Sequence, residues 1–284
     1  MCCFSGTVSL VSDTCIFARL SGRGTQYLVY QMSFQTDMEV AMVLPIPVSS
    51  HAENAVRFLA LDGYPGFFDD LEELFAPPLG TLSLSGAPAS AGPAMLEVHQ
   101  VGNYAASFVP RIGDFDRLDP RFRLPEHVWE KLPEYADYGF AVFKLGLRTP
   151  DPAAQPEEPR VLTPWQARRA YLMDKFRPKP PPLVEDTPLI MDVHPMAFEF
   201  PTALPNKIFF PTLHIHDGMI HSHEEFDHSL YWQGGSNARA GESISTMPIA
   251  SCVDLESALG VVDGEAPMRK LSVVGRHANE DIIL

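Results

Sequence analysis

Cysteine is scarce in this chain, basic residues are outnumbered, and long apolar runs are missing. The four cysteines (Cys2, Cys3, Cys15 and Cys252) are too few and too unevenly spaced for a disulfide framework. None is required for stability, because 284 residues are enough chain to bury a sizeable core. Lys and Arg number 21 against 36 Asp and Glu, a formal charge of −15. A field of that sign repels phosphate backbones and anionic lipid surfaces, which argues against nucleic-acid and membrane partners. The longest apolar stretch, Val40 to Val48, is broken by Pro45 and Pro47 and falls far short of the ~20 residues of a spanning helix. The first basic residue is Arg19, so the positive flank of a secretory signal is missing, and a cytoplasmic protein is expected. Gly22-Arg23-Gly24 and Gly234-Gly235 read as turns, since no Walker or GxGxxG pattern surrounds them, and no GxSxG element occurs.

The remaining composition, 45% hydrophobic and 20% charged, is that of a globular protein. With 27 prolines and 19 glycines, its segments should be short and divided by turns. Cys15 to Leu20, Gln26 to Phe34 and Val40 to Leu44 are β-branched, aromatic or apolar runs around a Ser21–Gly24 turn, and read as a β meander that Pro45 and Pro47 terminate. Phe67, Phe68, Leu71, Leu74 and Phe75 share one helical face, with Asp69, Asp70, Glu72 and Glu73 opposite. Leu96 to Val109 reads as a strand pair broken at Gly102-Asn103, and Tyr138 to Leu147 and Met196 to Phe200 as further strands. The expected fold is α+β: a mainly antiparallel β-sheet in a single domain spanning 1–284. Short helices are expected near 65–75, 125–132, 163–176 and 252–261, and a Pro-rich insertion over 149–186.

The segments CCFSGTVSLVSDTCIFARL, QYLVYQMSF, EVAMVLPIPV, YPGFFDDLEELF and YGFAVFKLGL together resemble a family of uncharacterised bacterial proteins, a domain of unknown function. Its members open on a Cys-containing segment, followed by a strand pair and a V-L-P-x-P strand. The likeness covers roughly residues 1–150, and more weakly 188–233. It implies a β-rich fold and supplies no activity.

The most informative stretch is LHIHDGMIHSHEEFDHSLYWQ, Leu213 to Gln233, which holds five of the ten histidines. Asp217-Gly218 is a type I′ turn signal between alternating residues. A two-residue loop would set His214 opposite His221 and Thr212 opposite His223. With a side-chain period of two, one face would carry His214, His216, His221, His223, Glu225 and Asp227. The other would carry Ile215, Phe226, His228, Leu230 and Trp232, and point to the core. Opposed imidazoles on one face can converge on one ion, and a metal selects the neutral rings that crowding favours. Zinc, copper or iron suits such a donor set. His214, His216, His221 and His223 are the candidate ligands, with Glu225 or Asp227 as base for a metal-bound water. A solvated or pH-sensitive polar hairpin is the competing reading. His228 is expected in the core or behind the ligands, and His194, before Pro195, is a weaker candidate ligand.

Cys2 is a further candidate catalytic residue. Removal of Met1 would leave it with a free α-amino group, the layout of an amino-terminal nucleophile amidohydrolase. The Cys2-Cys3 pair could equally supply soft metal ligands or begin an ordinary strand. Cys15 is expected in the core. Arg168, Arg169, Lys175, Arg177 and Lys179 form a basic cluster, read as a solvated face. The leading expectation is a transition-metal-dependent enzyme acting on an unknown small-molecule or peptide substrate. The alternatives are a metal-binding or metal-sensing protein without turnover, and the Cys2 amidohydrolase. The oligomeric state stays open.

Overall fold

The computed structural model describes residues 2–36, 38–76, 99–101, 104–124, 126–145, 190–216, 219–235 and 239–284. The expected Pro-rich insertion at 149–186, its helix at 163–176 and the basic cluster lie outside these. The architecture is mostly β, with mainly antiparallel pairing and a few short helices.

Strands β1 (Cys2–Phe4), β2 (Leu10–Leu20), β3 (Thr25–Gln35), β4 (Val40–Ile46) and β5 (Arg57–Ala60) open the chain. Helix α1 (Phe67–Glu73), the hairpin β6 (His99–Val101) and β7 (Tyr104–Val109), α2 (Glu126–Glu130) and β8 (Gly139–Leu145) follow. The second half supplies β9 (Ile190–Asp192), β10 (Met196–Pro201), β11 (Phe209–Phe210), β12 (His214–Ile215), β13 (His223–Gln233), β14 (Ser243–Ile244), β15 (Arg269–Ala278) and β16 (Ile282–Ile283). One sheet runs β12-β1-β4-β8-β7-β6. A second runs β14-β15-β13-β2-β3-β10-β5, with β9 also on β3, and β11 pairs β16 separately. Among the described residues no helix is long and apolar enough to cross a membrane.

The two large sheets face each other across one core. Val43, Leu44, Phe140 and Phe143 of the first sheet meet Ile16, Leu28, Tyr30, Phe198 and Leu230 of the second. Alternate residues of the second sheet point the other way. Phe17, Val29, Ala197 and Tyr231 pack beneath α1 and the 249–268 segment in a second cluster. Burial on both faces explains why β3 reads as β-branched and aromatic without clean alternation. The α1 face matches its sequence pattern: Phe67, Phe68 and Leu71 are buried, Phe67 meets Phe17 edge-on at 5.9 Å, and Asp69 and Asp70 occupy the first turn, where the helix dipole favours carboxylates.

Three expectations change. The amino-terminal strands are not one meander: β2 and β3 form a hairpin in the second sheet, whereas β4, buried along its whole length, crosses to the first. Pro45 does not end it. It sits opposite Phe140 within the β4–β8 ladder, beyond the Met42–Val43 stretch that pairs with β1, where no donor is demanded of it on that flank. Residues 252–261 form a string of turns after a 3-10 turn at Ile249–Ser251. There the Asp254 carboxylate accepts from the backbone of Glu256 and Ser257 and from the Ser257 hydroxyl. Such side-chain bonds compete with the helix ladder.

Candidate functional site: a buried imidazole cluster

The 213–233 segment is not a hairpin. β12 lies in the first sheet, parallel to β1, with Cys2 opposite His214 and Cys3 opposite Ile215. β13 lies in the second sheet, between β15 and β2. His223 therefore faces Ala278 rather than Thr212, and the expected His214–His221 pair does not form. Asp217 and Gly218 lie outside the described residues. The alternating pattern was genuine, but each half of it found a partner distant in sequence.

β13 keeps the expected facing of its own residues. Phe226, His228, Leu230 and Trp232 are buried, whereas His223, Glu225 and Asp227 are exposed. The Asp227 carboxylate accepts from the backbone N–H of Asp13 at 3.2 Å. His221 is exposed, and His223 Nδ1 lies 3.2 Å from the Ser222 hydroxyl.

His214 turns inward from the facing sheet. It is 4% exposed and His228 2%, and their Nε2 atoms stand 3.1 Å apart. The ring centroids of His214 and His228 are 4.9 Å apart, and those of His214 and His216 5.0 Å. Phe226 packs against both His214 (4.7 Å) and His228 (5.0 Å), and Phe4 lies 5.9 Å from His216. The structure thus brings together His214 on β12, His216 just beyond it and His228 on β13 of the other sheet. It leaves His221, His223, Glu225 and Asp227 outside the cluster. Among the described residues no three His, Cys, Asp or Glu side chains stand as a ready-made metal cage.

Burial is the main reason the His214 imidazole is pushed down to about 2 and that of His228 to about 3, and nearby positive charge, with the His216 ring, acts in the same direction. Both rings are neutral near pH 7. One Nε2–H then donates to the other Nε2, and the bond can run either way. His228 Nδ1 is buried with no hydrogen-bond partner among the described residues.

The backbone that aims His214 is clamped by the carboxyl-terminal segment. Asn279 Oδ1 accepts from His214 N–H at 2.7 Å, while its Nδ2 donates to the carbonyls of His214 (2.9 Å) and His221 (3.0 Å). Asp281 accepts from the N–H groups of Thr212 (2.8 Å) and Leu213 (3.0 Å) and from the Tyr135 hydroxyl (2.7 Å). Burial raises its carboxyl above the usual range despite these donors. Neither Asn279 nor Asp281 was singled out from the sequence. The only signal was the polar run Asn279-Glu280-Asp281 before an apolar end.

Cys2 begins β1 beside His214 in register, and the expectation for its thiol lies outside the described side chains. Cys3 is buried and Cys15 half-buried, and neither forms a disulfide. His194 is half-buried between β9 and β10.

No family model and no curated protein matches the sequence. Among solved structures, the chain is similar to baculovirus P35 at 16% identity and a TM-score of 0.40, covering 98% of this chain and 96% of that one. It is also similar to a mutated baculovirus P35 after caspase cleavage (15% identity, TM-score 0.41, 96% and 99% covered). A third match is the caspase-8/P35 complex (14% identity, TM-score 0.39, 96% and 95% covered). Values this low transfer no function.

Proposed function

We propose that this protein binds a transition-metal ion on the imidazoles of His214 and His228, and does so without turnover. The observation that carries the reading is the 3.1 Å separation of the two Nε2 atoms. At metal–nitrogen bonds of ~2.0–2.1 Å, two donors so spaced subtend about 100° at one ion, close to the tetrahedral angle. An ion replaces the single hydrogen bond with two coordinate bonds and needs neutral imidazole, the form that burial imposes on both rings. His216, whose ring neighbours that of His214, supplies the third donor after a rotamer change.

Binding is favoured over catalysis by the placement of the carboxylates. Glu225 and Asp227 are exposed on the face of β13 opposite to His228, so neither can take a proton from a water on that ion. The donor set is purely imidazole, which suits zinc, copper or iron.

The test is metal content and cobalt(II) absorption of the full chain and of two double variants. His214→Gln/His228→Gln should lose the ion, and His221→Ala/His223→Ala should retain about one per chain. The opposite pattern, or no binding by the unaltered protein, refutes the proposal.

A further inference from the structure

Away from the histidines, one patch carries charge of the sign this chain has little of. At the hairpin end of the second sheet a single row of residues crosses neighbouring strands: Arg19 on β2, Tyr27 on β3, Glu199 on β10 and Arg57 on β5. Arg57 is neutralised within the row. Its Nε (3.1 Å) and Nη2 (2.5 Å) donate to the Glu199 carboxylate, which also accepts from the Thr25 hydroxyl (2.6 Å). Arg19 is held but not neutralised. Its Nε donates to the Val261 carbonyl (2.7 Å) and its Nη2 to the Gly260 carbonyl (2.6 Å), and its Cζ lies over the Tyr27 ring, 4.8 Å from the centroid. Carbonyls and a ring fix the guanidinium without cancelling its charge, and Nη1 makes no hydrogen bond among the described residues. A planar cation set in place this way suits a carboxylate.

Two neighbours extend the patch. Arg23 is exposed in the β2–β3 turn, and its guanidinium has no ion pair among the described residues. It stands four residues beyond Arg19, at most about 13 Å along the hairpin. Leu259 immediately precedes Gly260. It is 48% exposed with a φ of +52°, in the left-handed region that a leucine enters only at a cost and a glycine enters freely. An apolar side chain that is open to solvent on a strained backbone adds little to the core, and strain of this kind gathers at ligand contacts.

We propose that Arg19, Arg23 and Leu259 form a docking surface for a short, extended, acidic segment of a protein partner. One carboxylate of that segment pairs with the Arg19 guanidinium, an apolar side chain beside it covers Leu259, and a second carboxylate up to four residues away reaches Arg23. The formal charge of −15 limits what can dock. A long polyanion meets a repulsive field beyond the patch, whereas a segment with two carboxylates contacts the two arginines alone.

The experiment is an amide titration of the ¹⁵N-labelled full chain with the peptide acetyl-Ser-Glu-Phe-Ser-Ser-Glu-Ser-amide. The resonances of Arg19, Arg23, Leu259 and Gly260 should move, and the affinity should fall as salt is raised. Replacing both Glu of the peptide by Gln should weaken binding about fivefold or more. Arg23→Glu, at an exposed turn position, should leave the fold intact and weaken the acidic peptide about fivefold, while a peptide with Lys in place of Glu gains. Leu259→Gly is the second variant. It relieves the backbone, so the urea midpoint should not fall, yet binding should weaken. No binding, equal affinity for the Gln peptide, unchanged affinity in Arg23→Glu or in Leu259→Gly, tighter binding of an eight-residue thymidine oligonucleotide, or burial of the same residues by self-association of the chain would each overturn the proposal.

Discussion

Acid should destabilise the metal-free protein more steeply than its carboxylates alone would. The perturbation is a change from about pH 7.5 to about pH 5.5 with a chelator present. In the unfolded chain each histidine titrates near 6.5. In the folded chain burial holds His214 down to about 2 and His228 to about 3. Below about pH 6.5 the unfolded state therefore takes up protons that the native state refuses. Stability is complete above that value and falls as the pH drops toward about 3. Each ring contributes a loss of about 1.4 kcal/mol between the two conditions, hence about 3 kcal/mol for the pair. Urea unfolding across this range measures it, with His214→Gln/His228→Gln as the reference that shares every other titrating group. The unaltered protein should lose about 3 kcal/mol more than the variant. Equal pH slopes would mean that the two rings are protonated in the folded state or exposed to water, and the buried neutral pair would be wrong.

Further outcomes follow from packing. Phe226→Ala removes the ring against both His214 and His228 and should cost about 3–5 kcal/mol in chemical denaturation. Asn279→Ala leaves the His214 N–H and two carbonyls without their partner. It should destabilise by about 1–3 kcal/mol and weaken metal retention in equilibrium dialysis. At Gly139 an added Cβ would come within 2.6 Å of the Phe108 ring and 3.0 Å of Val48, so Gly139→Ala should lose about 1–3 kcal/mol by overpacking. Asp227→Asn, at an exposed position, should shift stability by less than about 0.5 kcal/mol and leave metal content unchanged.

Local chemistry was legible where it was also decisive. The apolar stripe of α1, the turn between β2 and β3, the β6–β7 pair and the inward set Phe226, His228 and Leu230 all follow from side-chain period and turn residues. Strand partners were not legible. Residues 213–233 carry a strong hairpin signal, yet β12 and β13 each gain more by joining a different sheet. There the inward residues of both bury against the shared core, and backbone groups pair with β1, β2 and β15. The candidate site changed accordingly. His214 and His216 remain in it, His228 enters from the facing sheet, and His221 and His223 go to the surface. Alternation along one strand tells which residues share a face. It does not tell which other strand that face will meet.

The parallel pairings carry a consequence for how the molecule is made. His214 stands beside Cys2 on β1, and His228 beside Thr14 on β2, both roughly 200 residues earlier in the chain, so the loop that brings each pair together is long and its closure slow. The other flank of β13 is β15, which comes later in the chain. On a ribosome the first strands emerge long before either histidine, and β15 emerges after both. The imidazole pair is therefore fully framed only after β15 has been made. Its formation reports that strands made roughly 200 residues apart have met, and an ion bound there would fasten the early strands to the late ones.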